Sequence, residues 1–217
     1  MLKIIFLLIM ALMPSSVKVV ILRLQGAKIG KNVKIGLAVV NSKNIEIGDN
    51  VVIGHFNLLW RLKNLHLQSG CAIVAFNWIT GANSGSFFVG QNTGITRFHF
   101  FESSGDISIG SNTIIAGRGS TFFTHGISSV NLDDKRSITI GDWCYIGSGS
   151  KFVPGSGVNT GTFVGMGAVV TKVFGEEYIL AAGCPAQIKS QLSPNDAYFN
   201  REYLPQAHHP LNYLSEL

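Results

Sequence analysis

The 217-residue chain is poor in charge, proline and cysteine. Charged residues make up 13% of it against 46% apolar, which excludes a disordered or heavily solvated polypeptide. Three cysteines, Cys71, Cys144 and Cys184, show no C-x-x-C spacing, and pairing two would strand the third. Neither a disulfide framework nor a cysteine zinc site is expected, and a reducing, cytoplasmic compartment fits best. Acidic residues are missing from the first 45 positions, which hold Lys3, Lys18, Arg23, Lys28, Lys31, Lys34 and Lys43. The basicity is therefore terminal, and with no nucleic-acid motif beside it, it suits an anionic lipid surface better than DNA or RNA. No apolar run reaches the roughly 20 residues that a membrane-crossing helix needs. Glycine, by contrast, is plentiful at 25 residues without a collagen period, so the chain must turn often.

The uncharged block Ile4 to Met13 is stopped by Pro14 and followed by VKVVILRL with Lys18 and Arg23. Three readings stay open: a signal peptide, an interfacial anchor, or a helix packed on the domain. We favour the anchor, with residues 1–24 in peripheral contact with the inner face of an anionic membrane. That contact defines an N-terminal apolar and basic helical segment at 1–25.

Aliphatic pairs six apart then recur: Ile29 and Ile35, Ile47 and Ile53, Leu67 and Ile73, Val89 and Ile95, Ile109 and Ile115, Ile140 and Ile146. The cleanest run is Ile140, Ile146, Phe152, Val158, Val164 and Val170, with a small residue four positions after each of the first five: Cys144, Ser150, Ser156, Thr162 and Ala168. Six is no helical period. In strands, alternate side chains share a face, so an aliphatic at i and a small residue at i+4 both point inward. Three hexads make one coil of a three-faced parallel β-solenoid, all-β in class, spanning about seven coils over roughly residues 26 to 174. Spacings above 18 between pair starts predict loops at corners, the longest being Ile127 to Thr139. A C-terminal extension, 190–217, is expected to open a short helix at Ser193-Pro194 and to cover the solenoid end with Tyr198, Phe199 and Tyr203; Pro205 and Pro210 end it, and His208 and His209 read as solvated tail.

The stretch 26–189 resembles the hexapeptide-repeat acyltransferases, the left-handed β-helix acetyltransferases. The specific pieces are Thr124-His125 ahead of a loop, the run Gly165-Met166-Gly167-Ala168-Val169-Val170-Thr171-Lys172, and Gly183-Cys184-Pro185-Ala186. The amino end is similar to members from surface-polysaccharide loci. The resemblance implies a left-handed coil and a homotrimer with active sites between neighbouring solenoids. It further implies acetyl transfer from acetyl-CoA to a hydroxyl, here that of a capsule or O-antigen glycan or its precursor. A longer acyl donor on CoA or a carrier protein, and a non-catalytic solenoid, remain as alternatives.

Direct attack of a sugar hydroxyl on a thioester needs a base that works near neutral pH, and histidine is the usual one. The family's catalytic histidine carries over onto His125, at the junction with the longest loop. Strict phasing would turn it inward, so the register must break before it. Asp133 and Asp134 are candidates to orient the imidazole. His55, His66 and His99 read as structural; His99 and His125 stand 26 apart with no near histidine partner, so no metal is assigned. By resemblance, Ser148 and Met166 meet pantetheine, Thr171 and Lys172 meet phosphate, and Lys189 stands where arginines often serve the nucleotide. The tryptophan place of the family's I-G-x-x-x-W-I-G hexad is Tyr145, with Trp143 two earlier on the same strand face. Both are candidates for the acceptor pocket or for packing between copies.

Overall fold

In a computed structural model, which describes residues 2–126 and 133–201, the hexads become rungs of a parallel solenoid of about seven coils. Each coil lays one short strand on each of three faces. The first face stacks Ile107–Ile109 between Phe87–Val89 and Ile138–Ile140, and the second stacks Ile114–Ile115 between Gly94–Ile95 and Tyr145–Ile146. The third stacks Thr121–Phe123 between Phe100–Glu102 and Lys151–Phe152. Every phased aliphatic from Ile140 to Val170 is buried, as are Cys144, Ser150, Ser156, Thr162 and Ala168. Burial pushes the Cys71 and Cys144 thiols up to about 12, so both are inert core residues. Down the third face runs an internal stack in which Phe122 lies 4.5 Å from Phe101 and 4.9 Å from Phe152, ring centre to ring centre.

Two expectations about connections are corrected. The two-residue excess of the second coil is not a single loop: Val39–Ile47 and Leu58–Leu67 run unbroken from the third face into the next coil's first face, one extra residue sitting at the corner between Ile53 and Leu58 and the other at a register shift between Val40 and Ser42. The C-terminal extension is not helical at its start, since residues 194–200 form successive turns. Ser193 does take the cap role, its Oγ accepting the Asn195 N–H at 3.1 Å. However, the Asp196 carboxylate accepts the Ser193 N–H, and the bonds that follow are i to i+3, drawing Tyr198 and Phe199 onto the solenoid wall. Tyr203, Pro205, His208, His209 and Pro210 lie outside the described residues, as do loop residues 127–132.

The amino end forms α1 (Leu2–Leu12) and α2 (Ser15–Leu24), split at Pro14. Lys18 is buried and donates to the carbonyls of Ala11 and Gly36, while Ser15 Oγ accepts the Ile35 N–H at 2.9 Å. These bonds fasten the helices to the first coil and remove Lys18 from the exposed basic set. Arg23 is likewise engaged with the carbonyls of Ile29 and Gly30, and Lys28 with Glu46. Exposed on the helices are Ile4, Ile5, Leu8, Ile9, Leu12, Val20 and Leu24. No helix among the described residues is long and apolar enough to cross a membrane.

Candidate active site

His125 sits where the third face of the fifth coil turns into the long loop. The register breaks before it, as the exposed position of a histidine requires. Ile115 and the inward Phe122 are seven apart rather than six, and the additional residue is absorbed at the corner by Gly117 and Gly119, with φ of +67° and +76°. Thr124 then takes the inward place, fully buried, and His125 points out with 39% of its side chain exposed. Strand His125–Gly126 pairs antiparallel with Asp134–Lys135, the return of the loop. Asp133 Oδ1 lies 3.4 Å from His125 Nε2, whereas Asp134 turns to Arg136 at 2.8 Å, so only the first of the two acids faces the ring.

A residue that the sequence reasoning missed holds the backbone. Glu102, one coil earlier, accepts the N–H groups of His125 at 2.9 Å and Thr124 at 3.2 Å and the Thr124 hydroxyl at 3.1 Å, while Ser104 donates to its other oxygen. The signal available was an acid in FFESS, 23 residues before the histidine, at the same corner. Carboxylate bonds to backbone N–H groups are among the stronger ones, and this clamp fixes where the imidazole starts.

His99 is a different kind of residue. It is buried, with Nδ1 accepting the Ser120 N–H at 3.2 Å and Nε2 at 2.9 Å from Thr96 Oγ1. It forms one rung of an internal polar ladder, in which Asn57 Oδ1 accepts the Asn77 N–H and Asn77 Oδ1 accepts the His99 N–H. Desolvation lowers its pKa to about 4. A base held neutral in the fold but free to protonate when unfolded, near 6.5, stabilises the fold fully above pH 6.5. That contribution, up to about 3 kcal/mol, is lost as pH falls towards 4. Urea unfolding of the wild type between pH 7 and 4 is expected to show this loss. His99→Asn, which repeats the rung used at 57 and 77, is expected to flatten it, and parallel curves would refute the assignment.

The residues assigned to the donor do not cluster with His125 in one chain. Ser148 and Met166 are one coil apart on the corner between the second and third faces, where the Gly167 N–H donates to the Ser148 carbonyl and Met166 is 79% exposed. Thr171 and Lys172 are exposed at the corner after the third face, with Lys172 Nζ 5.2 Å from the Phe174 ring centre, and Lys189 is exposed on the strand Ala186–Gln191. His125 and Ser148 thus mark opposite edges of the same face. Trp143 is not on the strand with Tyr145 but in the preceding turn, with φ +56°. Arg201 lies over its ring at 4.9 Å, and Tyr145 is stacked on Phe163 and met edge-on by Tyr198, so both rings are covered by the chain's own C-terminal segment. A groove of about 680 Å³ bordered by Lys28, Glu46, His66 and Phe88 lies in the early coils and contains none of the assigned residues. Among the described residues, no group of three or more His, Cys, Asp or Glu side chains forms a metal cluster.

No protein-family model matches the chain. It is 30% identical over 176 residues to the bifunctional protein GlmU of Acinetobacter baumannii (strain AYE), a match that takes in 69% of this chain and 37% of that protein. The chain therefore spans little more than a third of the length of this curated relative. Among solved structures it resembles the polySia specific acetyltransferase NeuO, with a TM-score of 0.56, 20% identity and coverage of 76% of this chain and 81% of that one. The polysialic acid O-acetyltransferase OatWY gives a TM-score of 0.53 at 18% identity over 81% and 94%. At these identities the likeness is one of fold.

Proposed function

The chain is a hexapeptide-repeat solenoid with the fold of the acyltransferases built on that repeat, and from this premise we propose that it transfers an acetyl group from acetyl-CoA to a sugar hydroxyl. The acceptor is a cell-surface glycan or its precursor, met on the cytoplasmic side, where acetyl-CoA is supplied. The observation that carries the reading is the outward His125 imidazole, its backbone clamped by Glu102 and its ring faced by Asp133 at 3.4 Å. In the reaction the imidazole takes the hydroxyl proton as the oxygen attacks the thioester carbon. A backbone N–H steadies the oxyanion, and the C–S bond breaks to release the CoA thiolate, which the imidazolium reprotonates.

The separation of His125 from Ser148 and Met166 across one face supports a homotrimer, because the two edges can meet only between neighbouring copies. The third face between them carries outward Trp78, Phe100 and Phe123, with Phe100 in ring contact with both others, an apolar wall suited to burial against a second copy. Contact of residues 1–24 with an anionic membrane is supported by the bare apolar helix surface and by the exposed Lys31, Lys34 and Lys43 nearby.

Acetyl-CoA titrated calorimetrically into the full chain tests the donor half without knowledge of the acceptor. Saturable binding is expected, weakened about tenfold by Lys172→Ala, the loss of roughly one phosphate contact. A well-folded chain that takes up no acetyl-CoA would sink the proposal.

A further inference from the structure

Two corners of the solenoid repeat a residue with φ near +60°, a conformation that favours glycine and asparagine. At the corner between the first and second faces the chain uses Asn32, Asn50, Asn92 and Asn112, the glycines Gly70 and Gly161, and two aromatics, Trp143 and Tyr178. Each aromatic there has a covering partner: Arg201 over Trp143, and Phe199 5.1 Å from Tyr178. At the corner between the second and third faces the fifth to seventh coils use Gly119, Gly149 and Gly167, but the second to fourth use Phe56, Phe76 and Phe98, at +59°, +57° and +60°. A bulky side chain in this region is strained, and asparagine would relieve that strain. The three rings do not offset that strain by burial: they are 56%, 46% and 50% exposed and stack on one another at 4.9 and 4.8 Å, with His55 tilted against Phe56 at 6.1 Å.

This ladder has a direction. Above Phe56 the same corner holds the exposed Leu37, in the segment to which Ser15 and Lys18 fasten the turn between α1 and α2. Below Phe98 it reaches Arg118 and Gly119, in the coil that carries His125, and then the glycine edge of Ser148 and Met166. An apolar stripe one ring wide thus leads from the helical end to the level of the base, and the residues that precede Phe98 and Gly119 on this corner are the exposed Arg97 and Arg118. Three half-exposed rings are far fewer than the roughly 20–30 residues a side of a standard protein interface, but a stripe one ring wide suits a single hydrocarbon chain.

We propose that this stripe seats the hydrocarbon chain of a lipid-linked acceptor, which passes from the membrane at the helices to the transfer site with its phosphate beside Arg97 and Arg118. The inference rests on the acyl-transfer reading and the membrane contact above, and it names the acceptor's class. The triple variant Phe56→Asn, Phe76→Asn, Phe98→Asn tests it, because asparagine suits the backbone and the fold should not suffer. Farnesyl phosphate, kept below its aggregation concentration, is titrated into the full chain and the variant, with acetyl-CoA and palmitoyl-CoA alongside. Saturable binding of farnesyl phosphate is expected, weakened at least about tenfold in the variant, with an unchanged or raised melting temperature and unchanged acetyl-CoA affinity. Equal binding in both proteins, or none in the wild type, overturns it. So does a variant that falls to monomers while still binding the probe, which would make the ladder a contact between copies. Selective loss of palmitoyl-CoA instead would assign the stripe to the donor's chain. Failure to bind acetyl-CoA counts against the transferase reading alone, since the farnesyl phosphate arm is read without it.

Discussion

His125→Ala is expected to lower acetyl transfer at least about 100-fold while leaving acetyl-CoA affinity unchanged, the signature of a lost general base. The physical reason is that a neutral hydroxyl barely attacks a thioester unless its proton is taken as the bond forms. Alanine leaves the Glu102 clamp intact, because that carboxylate grips the N–H groups of Thr124 and His125 and the Thr124 hydroxyl rather than the ring. The corner therefore keeps its shape, and the measurement isolates the imidazole. Steady-state turnover with a responsive glycan, set beside calorimetry of the donor, separates the terms. Near-normal turnover would remove His125 from the chemistry; a parallel loss of donor binding would make it a binding residue instead.

Phe122→Ala is expected to cost about 4 kcal/mol of stability. Its ring is fully buried and stacked between Phe101 and Phe152, and the parallel ladders on either side fix the coil spacing. The walls cannot close on the space left behind, so the loss includes a cavity as well as the transfer of the ring. Because a solenoid coil touches only its neighbours, the damage should centre on the fourth to sixth coils. Urea unfolding gives the total, and hydrogen exchange should show protection falling first around Phe101, Phe122 and Phe152. A cost below about 1 kcal/mol would mean that the interior repacks in a way the stacked rings do not suggest.

The coil was legible because a solenoid writes its interior into the chain at a fixed interval. The pair spacing from Ile29 to Ile146 and the small residues from Cys144 to Ala168 mark inward positions that the structure buries, Ile29 at the open end only in part. What escaped were features that depend on neighbours one coil away. Glu102 meets His125 across 23 residues, a distance at which no local pattern links an acid to a histidine. The continuity of the strand Leu58–Leu67 is hidden because an extra residue in a bulge and one in a loop look alike as a count. The helix expected after Ser193 fails for a related reason: Ser193 makes the bond of a cap, but the pull of the wall on Tyr198, whose hydroxyl donates to the Cys144 carbonyl at 2.8 Å, lies 54 positions away. Alternation alone puts Trp143 and Tyr145 on one strand face, but the chain turns at Trp143, with φ +56°.

The additional residue between Ile115 and Phe122 gives the fold a route to invention that substitution lacks. In a periodic chain, adding or removing one residue exchanges every inward side chain of the following strand for its neighbour. The choice between a threonine and a histidine at the surface is made by one codon's worth of length, several positions upstream. A family built this way can explore new sites by slippage within its repeats, keeping the interior of all other coils intact. Deleting one residue of Gly117–Gly119 would run that history backwards, returning His125 to the interior and its coil to plain scaffold.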